Sequence, residues 1–158
     1  SLLGIPSFET PDYTVLFAEE KEMIAKLKKA FLMVAGKAVQ IYGMELEKQQ
    51  QLILAAAEIL MEIYMAESTI LKTEKLVNIT SEGENKARIA MAKLNLFNAV
   101  ELSSKKGKEA IASFAEGDEQ RVMLMGLKRF TKYTNLPNVI ALRNVIADDV
   151  IAANKYCF

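Results

Sequence analysis

Residues 49–76, QQQLILAAAEILMEIYMAESTILKTEKL, decide how this chain folds. Wound as a helix at about 100° per residue, they place Leu52, Ala56, Ile59, Leu60, Ile63, Ala66, Ile70 and Leu71 on one broad side, while Glu58, Glu62 and Lys72 lie off it. An apolar arc of that width predicts a core helix around which the remaining elements wrap. Glu67 and Glu74 fall near the middle of the arc. An unpaired carboxylate there would cost several kcal/mol, so the pattern predicts that each meets a cation from another segment.

Upstream, residues 14–47 carry Phe17, Ile24, Leu27, Phe31, Val34, Ala38, Ile41 and Tyr42 at helical spacing and predict a long first helix. Gly36 and Gly43 offer places where another backbone could come close. Residues 1–14 hold Gly4, Pro6 and Pro11 among scattered apolar side chains such as Phe8. That mixture resists continuous helix and reads as a strap or a linker from a preceding domain. The greasy Phe8 marks it as a candidate docking surface.

Downstream, Ser81 and Glu84 have capping-box spacing and predict a third helix reaching about Ala115, with Gly107 marking a tight crossing or a kink. Lys105, Lys106 and Lys108 lie beside Glu101 and Glu109 and read as a solvated face. Gly117-Asp118 is a stop-and-restart pair, followed by a fourth helix over 119–132 containing VMLMGLKRF. Arg129 points into the apolar sector of that helix and is the first candidate partner for Glu67 or Glu74, with Arg121 and Arg143 in reserve, because a guanidinium grips a carboxylate with two bonds. Met123, Met125 and Phe130, together with Lys128, Arg129 and Lys132, also have the character of an adaptable or membrane-interfacial face. Asn138 caps a fifth helix over 139–154, and Tyr156 and Phe158 end the chain as two further interface candidates. The fold class that emerges is all-α, an up-and-down bundle of about five helices forming one domain over 15–158.

Composition narrows the chemistry. The chain has no histidine, which removes imidazole acid–base work, Ser-His and Cys-His nucleophiles and histidine-bearing metal sites. Cys157 is a lone thiol, consistent with a reducing, cytoplasmic setting. Lys plus Arg equals Asp plus Glu at 20 each, so no global field draws in nucleic acid. No G-x-G-x-x-G, P-loop or G-x-S-x-G motif occurs. The residues therefore predict no catalytic, cofactor-binding or metal site of their own. The start at Ser1, without an initiator methionine, fits a piece of something longer.

Three stretches carry a resemblance: AAAEILMEIYMAESTILKTEKL (55–76), KKGKEAIASFAEGDEQRVMLMGLKRFTKY (105–133) and NVIALRNVIADDVIAANKYCF (138–158). Together they resemble the extra C-terminal helical region that follows the catalytic core in some bacterial acyl-CoA dehydrogenases. That region is similar in placement to the added domain of the very-long-chain enzymes. The likeness spans essentially the whole chain and rests on overall pattern, not on a catalytic signature.

The resemblance implies a parent enzyme that uses FAD to oxidise acyl-CoA to 2-enoyl-CoA, with a glutamate base in a core upstream of this chain. Neither Glu67 nor Glu74 inherits that role. It further implies that the partners are the upstream core of the same polypeptide, further copies in a homo-oligomer, and a peripheral membrane surface. The competing expectation is a free-standing adaptor whose groove, lined by Met123, Met125 and Phe130, takes a partner helix or an acyl chain.

Overall fold

A computed structural model of the chain describes residues 14–154. Among these residues there are five α-helices and no strands: α1 (Ala18–Tyr42), α2 (Gln50–Ile79), α3 (Lys86–Phe114), α4 (Gly117–Phe130) and α5 (Val139–Ala153). The all-α bundle is as the sequence predicts. Of the strap assigned to residues 1–14, only Thr14 falls within the described residues.

The first helix predicted over 14–47 is shorter at both ends, Ala18–Tyr42. It stops at Gly43, whose φ of 51° supplies the left-handed turn that L side chains resist, and a 3₁₀ segment, Gly43–Lys48, hands over to α2. Gly117 has φ 59° at the first position of α4, as expected of the stop-and-restart pair. Asp118 does not cap that helix; it pairs with Arg121 at 3.2 Å instead. Asn138 is the cap that the sequence predicts for α5, its Oδ1 accepting from the Ala141 amide at 3.0 Å.

Between α2 and α3 the Ser81 hydroxyl accepts from the Glu84 amide at 3.2 Å, which is half of the predicted capping box. A buried residue with no sequence signal completes this turn. Asn85 donates through Nδ2 to the Thr80 hydroxyl at 2.6 Å and to the Ser81 carbonyl at 2.7 Å, and its Oδ1 accepts from Arg88 at 3.3 Å. A buried amide must be satisfied in this way, and here the bonds fix the angle at which α3 leaves.

The hub of the bundle is α3, and α2 is not. α3 touches each of the other four helices, whereas α2 packs on α1 and α3. The reason lies in side-chain size. α3 buries Ala87, Ala90, Ala92, Ala99, Ser103, Gly107 and Ala110 around Leu96, Val100 and Ile111, and so admits neighbours closely on several sides. At Gly107 the approach is tightest: a Cβ there would stand 2.7 Å from a Leu127 methyl carbon of α4. The expectation of a tight crossing at Gly107 is therefore met. Gly36 is different, with nothing within 4 Å of where its Cβ would be.

The core forms two clusters along the bundle. One joins Phe17, Ile24 and Leu27 of the first helical segment with Ile59, Ile63 and Ile70 of α2 and Leu96 and Val100 of α3. The other joins Val34 of α1, Leu52 of α2, Ile111 of α3 and Met123 and Leu127 of α4. α1, α2 and α3 each contribute to both. α5 rests on α3 and has no buried residue.

Candidate functional site

The side chains that α2 buries are Leu52, Ala55, Ile59, Ile63, Ala66, Ile70 and Thr73. Successive members are three or four residues apart, a narrow seam of coiled-coil type and not the broad arc read from the helical spacing. Glu67 and Glu74 each follow a seam residue by one position, which swings them about 100° away from it. They flank the contact instead of entering it.

Their partners correct the expectation of a buried carboxylate–arginine pair. Lys28 meets Glu67 at 2.7 Å and Lys21 meets Glu74 at 2.5 Å, with the carboxylate side chains 37% and 31% exposed. Both lysines come from α1 and both glutamates from α2, each pair seven residues apart and matched in reverse order, so the bonds fix an antiparallel register. A lysine suffices because its stem covers apolar surface while its head stays wet. The three arginines proposed for this task are all exposed: Arg129 and Arg121 on α4, and Arg143 on α5. Half-exposed pairs of this kind contribute little. Glu67→Gln and Glu74→Gln are each expected to lower stability by less than about 1 kcal/mol in urea unfolding, against about 3–5 kcal/mol for breaking a buried pair.

The other cross-helix pairs follow the same pattern. Lys37 of α1 pairs with Glu119 of α4, Lys93 of α3 with Glu20 of α1 at 3.7 Å, and Lys106 of α3 with Glu58 of α2 at 3.2 Å. The Lys106 ammonium is held above its ordinary pKa, first by its hydrogen bond with Glu58 and then by the field of Glu109. This residue of the expected solvated lysine run thus ties two helices together.

Among the interface candidates, Met123 is in the core at 7% exposure, Phe130 packs half-buried against the same cluster, and Met125 is 71% exposed. Met123 lines a groove between α1 and α4 with Leu32, Gly36 and Val122, whereas Met125 lines a different groove with Lys26 and Tyr133. The three therefore do not form one ligand groove, because the turn of α4 aims them in different directions. Phe8, Tyr156 and Phe158 lie outside the described residues.

The surface that sequence reasoning missed lies on the far side of α2. Ile53, Leu60, Met61, Tyr64, Met65 and Leu71 run along five turns of that helix, all substantially exposed, with Tyr64 at 71%. Together they form an exposed apolar stripe, unlike apolar residues scattered singly over a surface. Its signal was present in the sequence: the stretch is apolar over more of its circumference than a single seam needs.

Chemical machinery is sparse. Among the described residues no three His, Cys, Asp or Glu side chains converge as metal ligands, and no helix is long and apolar enough to cross a membrane. The glycines at 43 and 117 end or restart helices, and the space beside Gly107 is taken by Leu127. None of these glycines opens a phosphate-cradling turn.

Comparison with known proteins agrees with this architecture. Residues 26–129 match the family described as acyl-CoA dehydrogenase, C-terminal domain. A probable acyl-CoA dehydrogenase of Bacillus subtilis (strain 168) is 33% identical over 153 residues, covering 94% of this chain and 25% of the relative. The crystal structure of an acyl-CoA dehydrogenase complexed with FAD from Bacillus anthracis superposes with a TM-score of 0.86 at 32% identity, over 91% of this chain and 25% of that one. The chain thus spans about a quarter of the length of the relatives it matches.

Proposed function

Because the chain belongs to the acyl-CoA dehydrogenase C-terminal domain family, we propose that it is the non-catalytic helical domain of an FAD-dependent acyl-CoA dehydrogenase and that it docks on the remainder of that polypeptide through the outer face of α2. The observation that carries this reading is the exposed stripe from Ile53 to Leu71, on a helix whose opposite side already fills the core. Covering such a stripe gains roughly 25 cal/mol per Å² of apolar surface removed from water, while leaving it wet gains nothing. The relatives are about four times as long as this chain, which supports a partner surface within the same polypeptide. In the parent enzyme the flavin and the base that act on the acyl-CoA thioester lie outside these residues, and this domain contributes position and assembly.

Leu60→Glu combined with Tyr64→Glu separates docking from folding. In the 158-residue chain alone, the pair should leave stability within about 1 kcal/mol, since both side chains already face solvent. Placed in the full-length enzyme, the same pair should lower acyl-CoA oxidation or disrupt the assembly seen by light scattering, by roughly tenfold or more, as expected for truncating anchors at the centre of an interface. Unchanged activity and unchanged assembly in the full-length enzyme would rule the α2 face out.

A further inference from the structure

A second surface stands apart from the α2 stripe and has a different chemistry. A groove of about 740 Å³ is lined by Lys26 of α1, by Met125, Lys128 and Arg129 of α4, and by Lys132, Tyr133 and Thr134 of the loop after α4. Four of these seven residues are cationic, on a chain whose formal charge is zero. No carboxylate is among the lining residues, and among the described residues none of the four cations forms a carboxylate ion pair, whereas Lys21, Lys28, Lys37, Lys93 and Lys106 all do.

The partial negative charge at the C-terminal end of α4 accounts for Lys128 and Arg129. It does not account for Lys26, which arrives from another helix, or for Lys132 beyond the helix end.

The groove is also built, not merely charged. The Lys26 ammonium donates to the Lys132 carbonyl at 3.5 Å, which brings the two together across 106 positions of sequence and leaves further N–H donors on Lys26. Three residues on, Asn135 is clamped to Glu19 of α1, its amide N–H at 2.9 Å and its side-chain amide at 3.4 Å from the carboxylate. The Thr131 hydroxyl donates to the Leu127 carbonyl at 2.8 Å. Tyr133 stacks on Phe97 of α3 with ring centroids 6.2 Å apart. The loop that carries Lys132 is thus held from α1, α3 and α4, so the order needed to converge its charge is largely in place before any ligand arrives.

We propose that this groove binds a phosphate-bearing anion, with Lys26, Lys128, Arg129 and Lys132 contacting phosphoryl oxygens and Tyr133 and Met125 forming an apolar wall. Cations with no carboxylate partner among the described residues repel one another at close range, and a polyvalent anion relieves that repulsion while accepting their N–H groups. Its volume is that of a site for an organic phosphate, larger than one inorganic ion requires. The same chemistry is offered by a soluble pyrophosphate or by the headgroup of an anionic phospholipid.

The test uses the full 158-residue chain, inorganic pyrophosphate in isothermal titration, and vesicles of phosphatidylserine mixed with phosphatidylcholine in sedimentation, all near physiological salt. Lys128→Gln/Arg129→Gln/Lys132→Gln should weaken binding about 100-fold, since each near-surface cation supplies roughly a factor of five. All three side chains are exposed, so folding should survive, and circular dichroism checks it. Lys72→Gln/Lys105→Gln/Lys108→Gln removes equal charge elsewhere and should weaken binding much less. Titration by pyrophosphate that is lost only in the groove variant supports the proposal with a soluble ligand. Vesicle binding lost only in that variant supports it with a lipid headgroup. Binding to neither probe, or equal loss in both variants, overturns it.

Discussion

Phe17→Ala should lower stability by roughly 3–5 kcal/mol, the largest single loss expected from any one substitution considered. Phe17 is 2% exposed and belongs to the larger core cluster, packed with Ile24, Leu27 and the isoleucines of α2. Its backbone is also unusual: φ 62° and ψ 15° place it in the left-handed region at the residue before α1. An L side chain there costs roughly 1–2 kcal/mol, and only packing of the ring justifies it. This gives the experiment a second reading. Phe17→Gly removes even more of the side chain but relieves the backbone, so it should be no less stable than Phe17→Ala. At an ordinary helical position glycine would be worse by about 1 kcal/mol. Thermal unfolding followed by circular dichroism reads both, with an expected fall in Tm on the order of 10 °C for alanine. A loss below about 1 kcal/mol for Phe17→Ala would mean that the ring is not a core residue.

The second large effect concerns the crossing of α3 and α4. Leu127→Ala should cost about 2–5 kcal/mol, because Leu127 is 1% exposed at the centre of the second cluster. Gly107→Ala should cost about 1–3 kcal/mol in spite of alanine's better helix propensity, because the new methyl group would stand 2.7 and 2.9 Å from the two methyl carbons of Leu127. The two changes are coupled. In Gly107→Ala/Leu127→Ala the added methyl enters the space that the leucine vacates, so the double variant should be more stable than the sum of the single losses by about 1 kcal/mol or more. Strict additivity in urea unfolding would show that α3 and α4 are not in contact at this point.

The helices themselves were legible because their apolar residues recur at helical spacing and glycine, Asn138 and the Ser81–Glu84 pair mark their ends. Which helix lies at the centre was not. Hydrophobicity singles out α2, yet α3 touches more neighbours through alanine, serine and glycine, residues whose value is their small size and which carry little hydrophobic signal. The greasiness of α2 mixes two demands, a seam toward α1 and α3 and a stripe toward solvent, and a sequence does not separate them. The ion pairs were misassigned for a related reason. Glu67 and Glu74 are one position off the seam, and a one-position shift on a helix is the difference between a buried charge and one that a flanking lysine can reach.

Asn85 carried no signal because its bonds go to a turn whose geometry is set by the fold. The cationic groove was half visible as Lys128, Arg129 and Lys132. Lys26 completes it from a helix more than a hundred residues earlier, and only the folded chain brings it there.

The division of the interior into two clusters bears on how the domain transmits damage. α1, α2 and α3 run through both, α2 reaching the second cluster through Leu52, whereas α4 contributes to the second alone. The two ends are therefore joined by three helices that pass from one cluster into the other. A lesion in α4 loosens one end and leaves the other standing, whereas a break in the middle of α1, α2 or α3 cuts a rod that serves both.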